Sequence, residues 1–564
     1  MRQRTVYLET FGCQMNELDS ELVGGQLRAL GYRFTDDPDH ADILLYNTCS
    51  VRDHAEQKVR SRLGELRLRK QDEPGIVVGV LGCMAERDGV ELIKRMPVVD
   101  VLCGPAELDK LPSLLDNALR TRESLLADLA SQPDEARVRA RAAASARQVA
   151  LQGDASRRSA TLAAAEDRLE MLDLSRAVSP LDHDGSAYVR ITRGCNKFCT
   201  YCVVPHTRGA EVHRPPEHII DECKRLADAG VIEVTLLGQT VNHYRYEHGS
   251  AVTIGGVAQP QKGRSYAGGH RRDPFAGEHT TTFADLLRRI HDEAPAIKRL
   301  RFVTSYPRDF GDDVLEVMRD HPRICRYLHV PAQSGSDRML KAMNRGYTVG
   351  EYLEFVDRAR GFLDQPEIGR PLMLAGDIIA GFCGESEADH NATAELLRRV
   401  RYKNCFIFKY SPRPGTTAFD RMPDDVPEEL KRRRVNELLA LQQQISDEVS
   451  ATQIGRTLEV FVQGVSAREQ KAARRAEAAR AGAVALTISA RGGVDPPNKS
   501  PAAASVIEEG SDAVQLSGRT EGDLIVVFDL PFGAAIDELV GRIVSVRIES
   551  VRQLTLFGRA ACDR

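Results

Sequence analysis

Three cysteines carry the sharpest chemical signal in this chain. Cys195, Cys199 and Cys202 fall within eight residues, in Gly194-Cys-Asn-Lys-Phe-Cys-Thr-Tyr-Cys202. Three thiolates at this spacing can hold three irons of one cubane. No fourth cysteine follows at once, so one iron keeps an open position, much as a catalytic zinc does. The amino-acid end of S-adenosylmethionine is a ligand that could fill it. The competing reading is a structural zinc site completed by His206. Zinc usually takes four ligands in paired spacings, and this run offers three.

A second trio is spread out. Cys13, Cys49 and Cys83 each lie just beyond a predicted strand, and glycines precede Cys13 and Cys83. In an open parallel sheet the carboxyl ends of the strands share one edge, where ligands bind. On the residues alone the trio is either a ligand set or three buried core cysteines. The other cysteines, at 103, 223, 325, 383, 405 and 562, show no ligand-like spacing and read as packing residues. A reducing compartment keeps such thiols apart, so clustering points to metal or catalysis rather than disulfides.

The elements that must position these groups follow from periodicity. Val6–Thr10, Asp42–Tyr46, Ile76–Leu81 and Val98–Leu102 read as strands, with helices over Glu17–Leu30 and His54–Lys70 between them. This alternation predicts a parallel sheet covered by helices. The rhythm resumes with strands at Tyr188–Thr192, Glu233–Leu237, Arg299–Val303, Tyr327–Val330, Asp377–Gly381 and Cys405–Tyr410. Thr282-Phe-Ala-Asp285, Thr348-Val-Gly-Glu351 and Ser386-Glu-Ala-Asp389 each read as a capping box that opens a helix. Six such units predict a partial (β/α)6 barrel. Pro427–Val449 reads as a long helix. Beyond it, Leu458–Val465, Leu524–Asp529 and Ile543–Glu549 read as strands of a small antiparallel β-barrel. The fold class is therefore α/β multidomain: an N-terminal domain over 1–120, a linker or insertion over 121–177, a barrel over 178–450 and a small β-barrel over 451–560. Residues 247–279 and 467–505 read as loop insertions rich in Gly, Arg and Ala or Pro.

Totals exclude other classes. The chain has 564 residues with a formal charge of −4, so a nucleic-acid partner requires a local basic patch. No apolar run reaches the ~18 residues of a membrane span. The start lacks the apolar stretch of a secretory signal, so the expected location is cytoplasmic.

The C-x3-C-x2-C trio resembles the radical S-adenosylmethionine superfamily. The resemblance implies a [4Fe–4S] cluster that cleaves the cofactor to a 5′-deoxyadenosyl radical. Thr10-Phe-Gly-Cys13-Gln-Met-Asn16, Asn47-Thr-Cys49-Ser-Val-Arg and Gly82-Cys83-Met-Ala resemble the methylthiotransferases within it. That resemblance implies a second, auxiliary [4Fe–4S] cluster on Cys13, Cys49 and Cys83 that takes part in sulfur insertion. Asn47–Lys58, Gly194–Gly209 and Ser411–Thr416 are most similar to the branch that acts on tRNA bearing dimethylallyladenosine. Other branches act on threonylcarbamoyladenosine tRNA or on an aspartate of a ribosomal protein. An iron–sulfur sensor that binds RNA without catalysis is the reading from another class; it needs no open iron.

Further expectations accompany the resemblance. Tyr201 packs near the adenine of the cofactor, and Gln239, Ser305, Gln333 and Asp377, at the mouth of the barrel, contact S-adenosylmethionine or the substrate adenine. Tyr306 and Cys383 stand where the family commonly has His and Pro. The tail resembles a TRAM domain, with Arg456, Arg519 and Arg542 as candidate phosphate contacts. Expected partners are tRNA, an electron donor of the flavodoxin or ferredoxin type, and proteins supplying sulfur or clusters. The chain is expected to be monomeric, with no membrane association.

Overall fold

The computed structural model describes residues 4–50, 53–129, 147–152, 167–176, 178, 184–263, 271–273, 276–480, 514–531 and 533–561. Most of the two long expected insertions, over 130–146, 153–166 and 481–505, lies outside these residues, as does Cys562. The chain forms two compact units, Met1–Ser446 and Asp447–Arg564.

The first unit begins with a six-stranded parallel sheet: β1 (Thr5–Phe11), β2 (Arg33–Phe34), β3 (Ile43–Thr48), β4 (Val77–Gly82), β5 (Val101–Cys103) and β6 (Gln148–Ala150), in the order β2-β1-β3-β4-β5-β6. Every residue of β3 and β4 is buried. Such continuous apolar strands mark a sheet covered on both faces. Alternate side chains supply the two cores. Ile43 and Leu45 face α1 (Gln14–Ala29). Leu44 and Tyr46 face α2 (Asp53–Asp72) and α3 (Cys83–Asp88). The order reverses between β1 and β3, and that switch point opens a crevice at the carboxyl edge.

One element was not expected here: β6 falls inside the segment read as a linker or insertion, helical in places, which also holds a helix over Arg168–Leu174. The strand is only three residues long and pairs with β5 through backbone bonds, which periodicity cannot register.

Six parallel strands follow in chain order, Ser186–Arg190, Glu233–Leu237, Arg299–Phe302, Tyr327–His329, Met373–Ala380 and Asn404–Lys409. They form two three-stranded sheets joined by a parallel bridge between Leu300 and Ile324. This is the expected partial barrel. All three capping boxes form, with side-chain and backbone bonds in both directions at Thr282/Asp285, Thr348/Glu351 and Ser386/Asp389. The insertion over 247–279 is partly built into the unit. Thr253–Ile254 pairs with Val257–Ala258, and Gln261–Lys262 adds to the strand Val212–His213.

The second unit is a closed barrel of five strands: Thr457–Val465, Gln515–Arg519, Ile525–Asp529, Ile543–Arg552 and Thr555–Ala560. The antiparallel expectation holds for every pair but one, since Ile525–Asp529 and Thr555–Ala560 run parallel and close the barrel. The first part of the expected loop insertion is a helix over Ala467–Arg480, as its Ala, Arg, Glu and Gln content favours.

Candidate active site

The sheet register gathers the first trio. Phe11 pairs with Thr48, and Thr48 with Gly82. Cys13, Cys49 and Cys83 follow these three residues by one or two positions, on adjacent strands about 4.8 Å apart. Cys13 caps α1, and its carbonyl accepts the Asn16 and Glu17 N–H groups at 2.8 and 3.2 Å. Cys83 opens α3. Gly12 is required by space, since a Cβ there would lie 2.9 Å from the Cβ of Cys49.

Beneath the thiols lies a buried polar floor that the sequence reading did not single out. Asn16 Nδ2 donates to Asn47 Oδ1 at 2.9 Å, and Asn47 Nδ2 donates to Asn16 O and Ser20 Oγ at 2.9 and 3.0 Å. Cys13 Sγ lies 3.3 Å from Asn16 Oδ1. A hydrogen bond from Cys49 draws the Cys13 thiol down to about 6 against the effect of burial, with help from the Arg208 charge. Burial pushes Cys83 up, eased by Arg208 and a bond to Thr207. Two buried thiols and a half-buried one, the last ready to ionise at neutral pH, fit an iron–sulfur cluster.

The second trio sits on the loop after the first barrel strand. Gly194 has φ +68°, and a Cβ there would lie 2.1 Å from the Ala210 carbonyl oxygen. Cys195 Sγ is 3.7 Å from Thr240 Oγ1 and accepts the Lys197 N–H at 3.5 Å. Cys199 Sγ accepts from Arg345 Nη1 at 3.4 Å, and Cys202 N–H donates to Cys199 O at 3.0 Å. Burial raises Cys195 to about 12, and the Glu211 charge adds to this. Burial also raises Cys202, with Cys199 and then Cys195 opposing its ionisation. Cys195 and Cys202, reluctant to ionise alone, are donors that a cationic cluster deprotonates on binding.

Two cations flank this loop. Lys197 Nζ lies 4.6 Å from the Tyr306 ring centroid and 2.5 Å from Asp309 Oδ2. Arg345 also lies 4.6 Å from the Tyr306 centroid. The Tyr306 hydroxyl accepts the Gly346 N–H at 2.8 Å. The departure at Tyr306 thus supplies a ring between two cations beside the cysteines. Cys383, the other departure, packs with Met339, Met343, Phe382 and Tyr410.

The remaining candidates lie around the barrel mouth. Tyr201 packs edge-on against Phe382 at 6.4 Å. Gln239 is half-buried, one residue before the Thr240 that meets Cys195. Ser305 is 4% exposed, and its Oγ has no hydrogen-bond partner among the described residues. Gln333, at φ +73°, is bonded to the fifth barrel strand through both its N–H and its carbonyl. Asp377 differs from expectation: it lies within Met373–Ala380 rather than at its end, and meets His329 Nε2 at 3.1 Å. In the second unit Arg519 pairs with Asp523 at 2.6 Å. Arg456 lies 3.5 Å from Gln453 Oε1, and Arg542 is exposed.

Buried ion pairs lock the two cysteine-bearing halves of the first unit together. Asp19 of α1 accepts from Arg190 at 3.2 Å and from Arg208 at 2.8 Å. Glu56 accepts from Arg87 at 2.6 Å and Arg413 at 2.8 Å. Arg208 follows the Cys195–Cys202 loop and acts electrostatically on Cys13 and Cys83, so both trios address one junction. A cavity of about 460 Å³ at this junction is lined by Glu107, Arg190, Arg193, Gly194 and Arg208. Its four arginines, Arg168 included, are each paired with carboxylates.

Both cysteine-bearing parts of the chain match known families. Residues 5–104 match the model of the uncharacterized protein family UPF0004, and residues 189–397 match that of the radical SAM superfamily. A tRNA-2-methylthio-N(6)-dimethylallyladenosine synthase from Rhodopirellula baltica is 38% identical over 99% of this chain and 95% of its own length. The protein of that name from Chloroherpeton thalassium is 38% identical over 82% of this chain and 86% of its own. One from Porphyromonas gingivalis is 35% identical over 99% and 95%. With relatives this similar along nearly its whole length, the chain belongs to the tRNA-2-methylthio-N(6)-dimethylallyladenosine synthase family.

Proposed function

We propose that the chain attaches a methylthio group to C2 of N6-dimethylallyladenosine at position 37 of tRNA, using S-adenosylmethionine as methyl donor and as radical source. The observation that carries this reading is the presence of two cysteine trios in one compact unit, with Arg208, just after the second trio, acting on Cys13 and Cys83 of the first. Cys195, Cys199 and Cys202 would hold one [4Fe–4S] cluster, and Cys13, Cys49 and Cys83 a second. When bound, these groups supply the electron that cleaves the cofactor and the site at which sulfur is methylated.

The chain's own residues do the positioning. Gly194 lets the first loop turn against Ala210, and Arg345 directs a charged donor at Cys199. The unpartnered Ser305 hydroxyl supports a contact to bound S-adenosylmethionine. Gln239, Gln333 and Asp377 go with it, the last also meeting His329. Tyr201 would act by packing beneath the cofactor. Paired arginines at the junction hold the two halves closed against water, which a radical step requires. Arg456, Arg519 and Arg542 would meet tRNA phosphates.

The four-part division at 1–120, 121–177, 178–450 and 451–560 accompanies this reading. So do a monomeric state, a cytoplasmic location, a flavodoxin- or ferredoxin-type donor, and supply proteins for sulfur and clusters. No described helix is long and apolar enough to cross a membrane.

The test is reconstitution without oxygen, incubation with S-adenosylmethionine, reductant and tRNA carrying dimethylallyladenosine, and mass spectrometry of the digested nucleosides. A nucleoside heavier by one methylthio group, lost in Cys199→Ala, is expected. Cofactor cleavage without that product would move the substrate to another branch of the methylthiotransferases.

A further inference from the structure

Glu211, His213 and His243 form a buried cluster that the reading above leaves unused. Glu211 and His213 are two residues apart, with His213 on the strand Val212–His213, which lies between Thr192–Arg193 and Gln261–Lys262. His243 ends a 3-10 turn after the second barrel strand. Exposure of the three is 1%, 2% and 3%.

Their donor atoms converge. Glu211 Oε1 lies 3.1 Å from His213 Nε2 and 2.7 Å from His243 Nδ1. All three ligand atoms fall within 4.8 Å of one another. Two atoms each ~2.1 Å from one metal ion, at right-angle to tetrahedral geometry, are ~3.0–3.4 Å apart, so the spacing already approaches a coordination sphere.

Protonation sharpens the case. His213 Nδ1 lies 2.6 Å from the Arg245 carbonyl oxygen, and the Arg245 N–H lies 3.0 Å from the same nitrogen. With its proton on Nδ1, donated to that carbonyl, the neutral ring turns the Nε2 lone pair toward Glu211, the orientation a cation between them would use. A ring that donates Nδ1–H to a backbone carbonyl and offers Nε2 is the arrangement that orients metal-bound histidines. Glu211 Oε2 is buried and has no hydrogen-bond partner among the described residues, which leaves a second oxygen available.

We propose that Glu211, His213 and His243 bind one Zn²⁺ ion through two imidazole nitrogens and a carboxylate, separate from both cysteine trios. Its place in the fold says what it would brace. Asn196, between Cys195 and Lys197, accepts the Glu211 N–H at 3.1 Å and donates to the Gly263 carbonyl at 3.2 Å. The ion would tie the Cys195 loop to the turn after the second barrel strand.

The test uses the full chain, reconstituted with iron and sulfide without oxygen and washed with a chelator. Zinc by elemental mass spectrometry should be about one ion per chain. His213→Gln and His243→Gln should each weaken retention ten- to a hundredfold, roughly, with the iron content unchanged. Zinc-edge X-ray absorption on the unmodified chain should show nitrogen and oxygen neighbours with two imidazoles, and this readout does not depend on how the variants fold. Absence of zinc, sulfur in its first shell, or full retention in both variants would overturn the proposal.

Discussion

Gly82→Ala tests how the fold assembles the first cysteine trio. Gly82 ends β4 with φ 86° and ψ −157°, a region essentially confined to glycine, where another residue costs about 1–3 kcal/mol. Space adds a second penalty. A Cβ would lie 2.4 Å from Asn47 Oδ1, 2.8 Å from the Thr48 carbonyl and 3.0 Å from Asn16 Nδ2. The carbonyl is fixed by the sheet, so the Asn16–Asn47 pair must give way. Leaving one buried amide unsatisfied costs a further ~1–3 kcal/mol. The sum, about 2–6 kcal/mol, acts next to Cys83 and beneath Cys13. Iron per chain after reconstitution should fall by about half, while cleavage of S-adenosylmethionine persists. Gly31→Ala is the control: its φ is +88°, but nothing lies within 4 Å of the added atom. It should cost only about 1–2 kcal/mol and leave the iron content intact. Full iron loading and unchanged stability in Gly82→Ala would refute the reasoning.

Three further outcomes follow from the same geometry. Asp19→Asn leaves the buried Arg190 and Arg208 short of a carboxylate charge, which should destabilise the first unit by about 3–5 kcal/mol; an unchanged urea midpoint would contradict this. Ser305→Ala removes an unpartnered hydroxyl, so stability should hold while S-adenosylmethionine binding weakens by about 1 kcal/mol, roughly fivefold; equal affinity in calorimetry would exclude Ser305 from the site. In the metal-free chain, the Cys13 thiol at about 6 is mostly thiolate at pH 7, whereas Cys195 at about 12 is not. Iodoacetamide at pH 7, mapped by mass spectrometry, should therefore modify Cys13 well before Cys195, and the rate at Cys13 should fall as pH drops below 6. The reverse order would show that the electrostatic surroundings are misread.

Much of the scaffold was legible in the sequence because it rests on local signals. Glu233–Leu237 is a strand with its expected bounds, and Thr282, Thr348 and Ser386 cap helices through residues three positions away. The cysteine trio at 195–202 was legible for the same reason. Gln148–Ala150 and Gln515–Arg519 were not, since short strands with Gln, Ser and Gly gain their stability from neighbours. That Cys13, Cys49 and Cys83 share one sheet edge was legible, but the order β1-β3-β4 that makes their strands neighbours was not. The Asp19–Arg208 pair spans 189 residues, and no local pattern links its members. Asn16 and Asn47 did offer a signal: each stands two or three residues from a cysteine at the end of a strand. Glu211 and His213 share an i, i+2 strand spacing, but His243 joins them only through the barrel.

The division of labour between the two trios is the central claim, and one experiment addresses it directly. Cys13→Ala would be reconstituted without oxygen and assayed in the same reaction for 5′-deoxyadenosine and for the methylthiolated nucleoside. Cofactor cleavage should continue, since Cys195, Cys199 and Cys202 are intact, and the methylthio product should disappear. Continued formation of that product would contradict it.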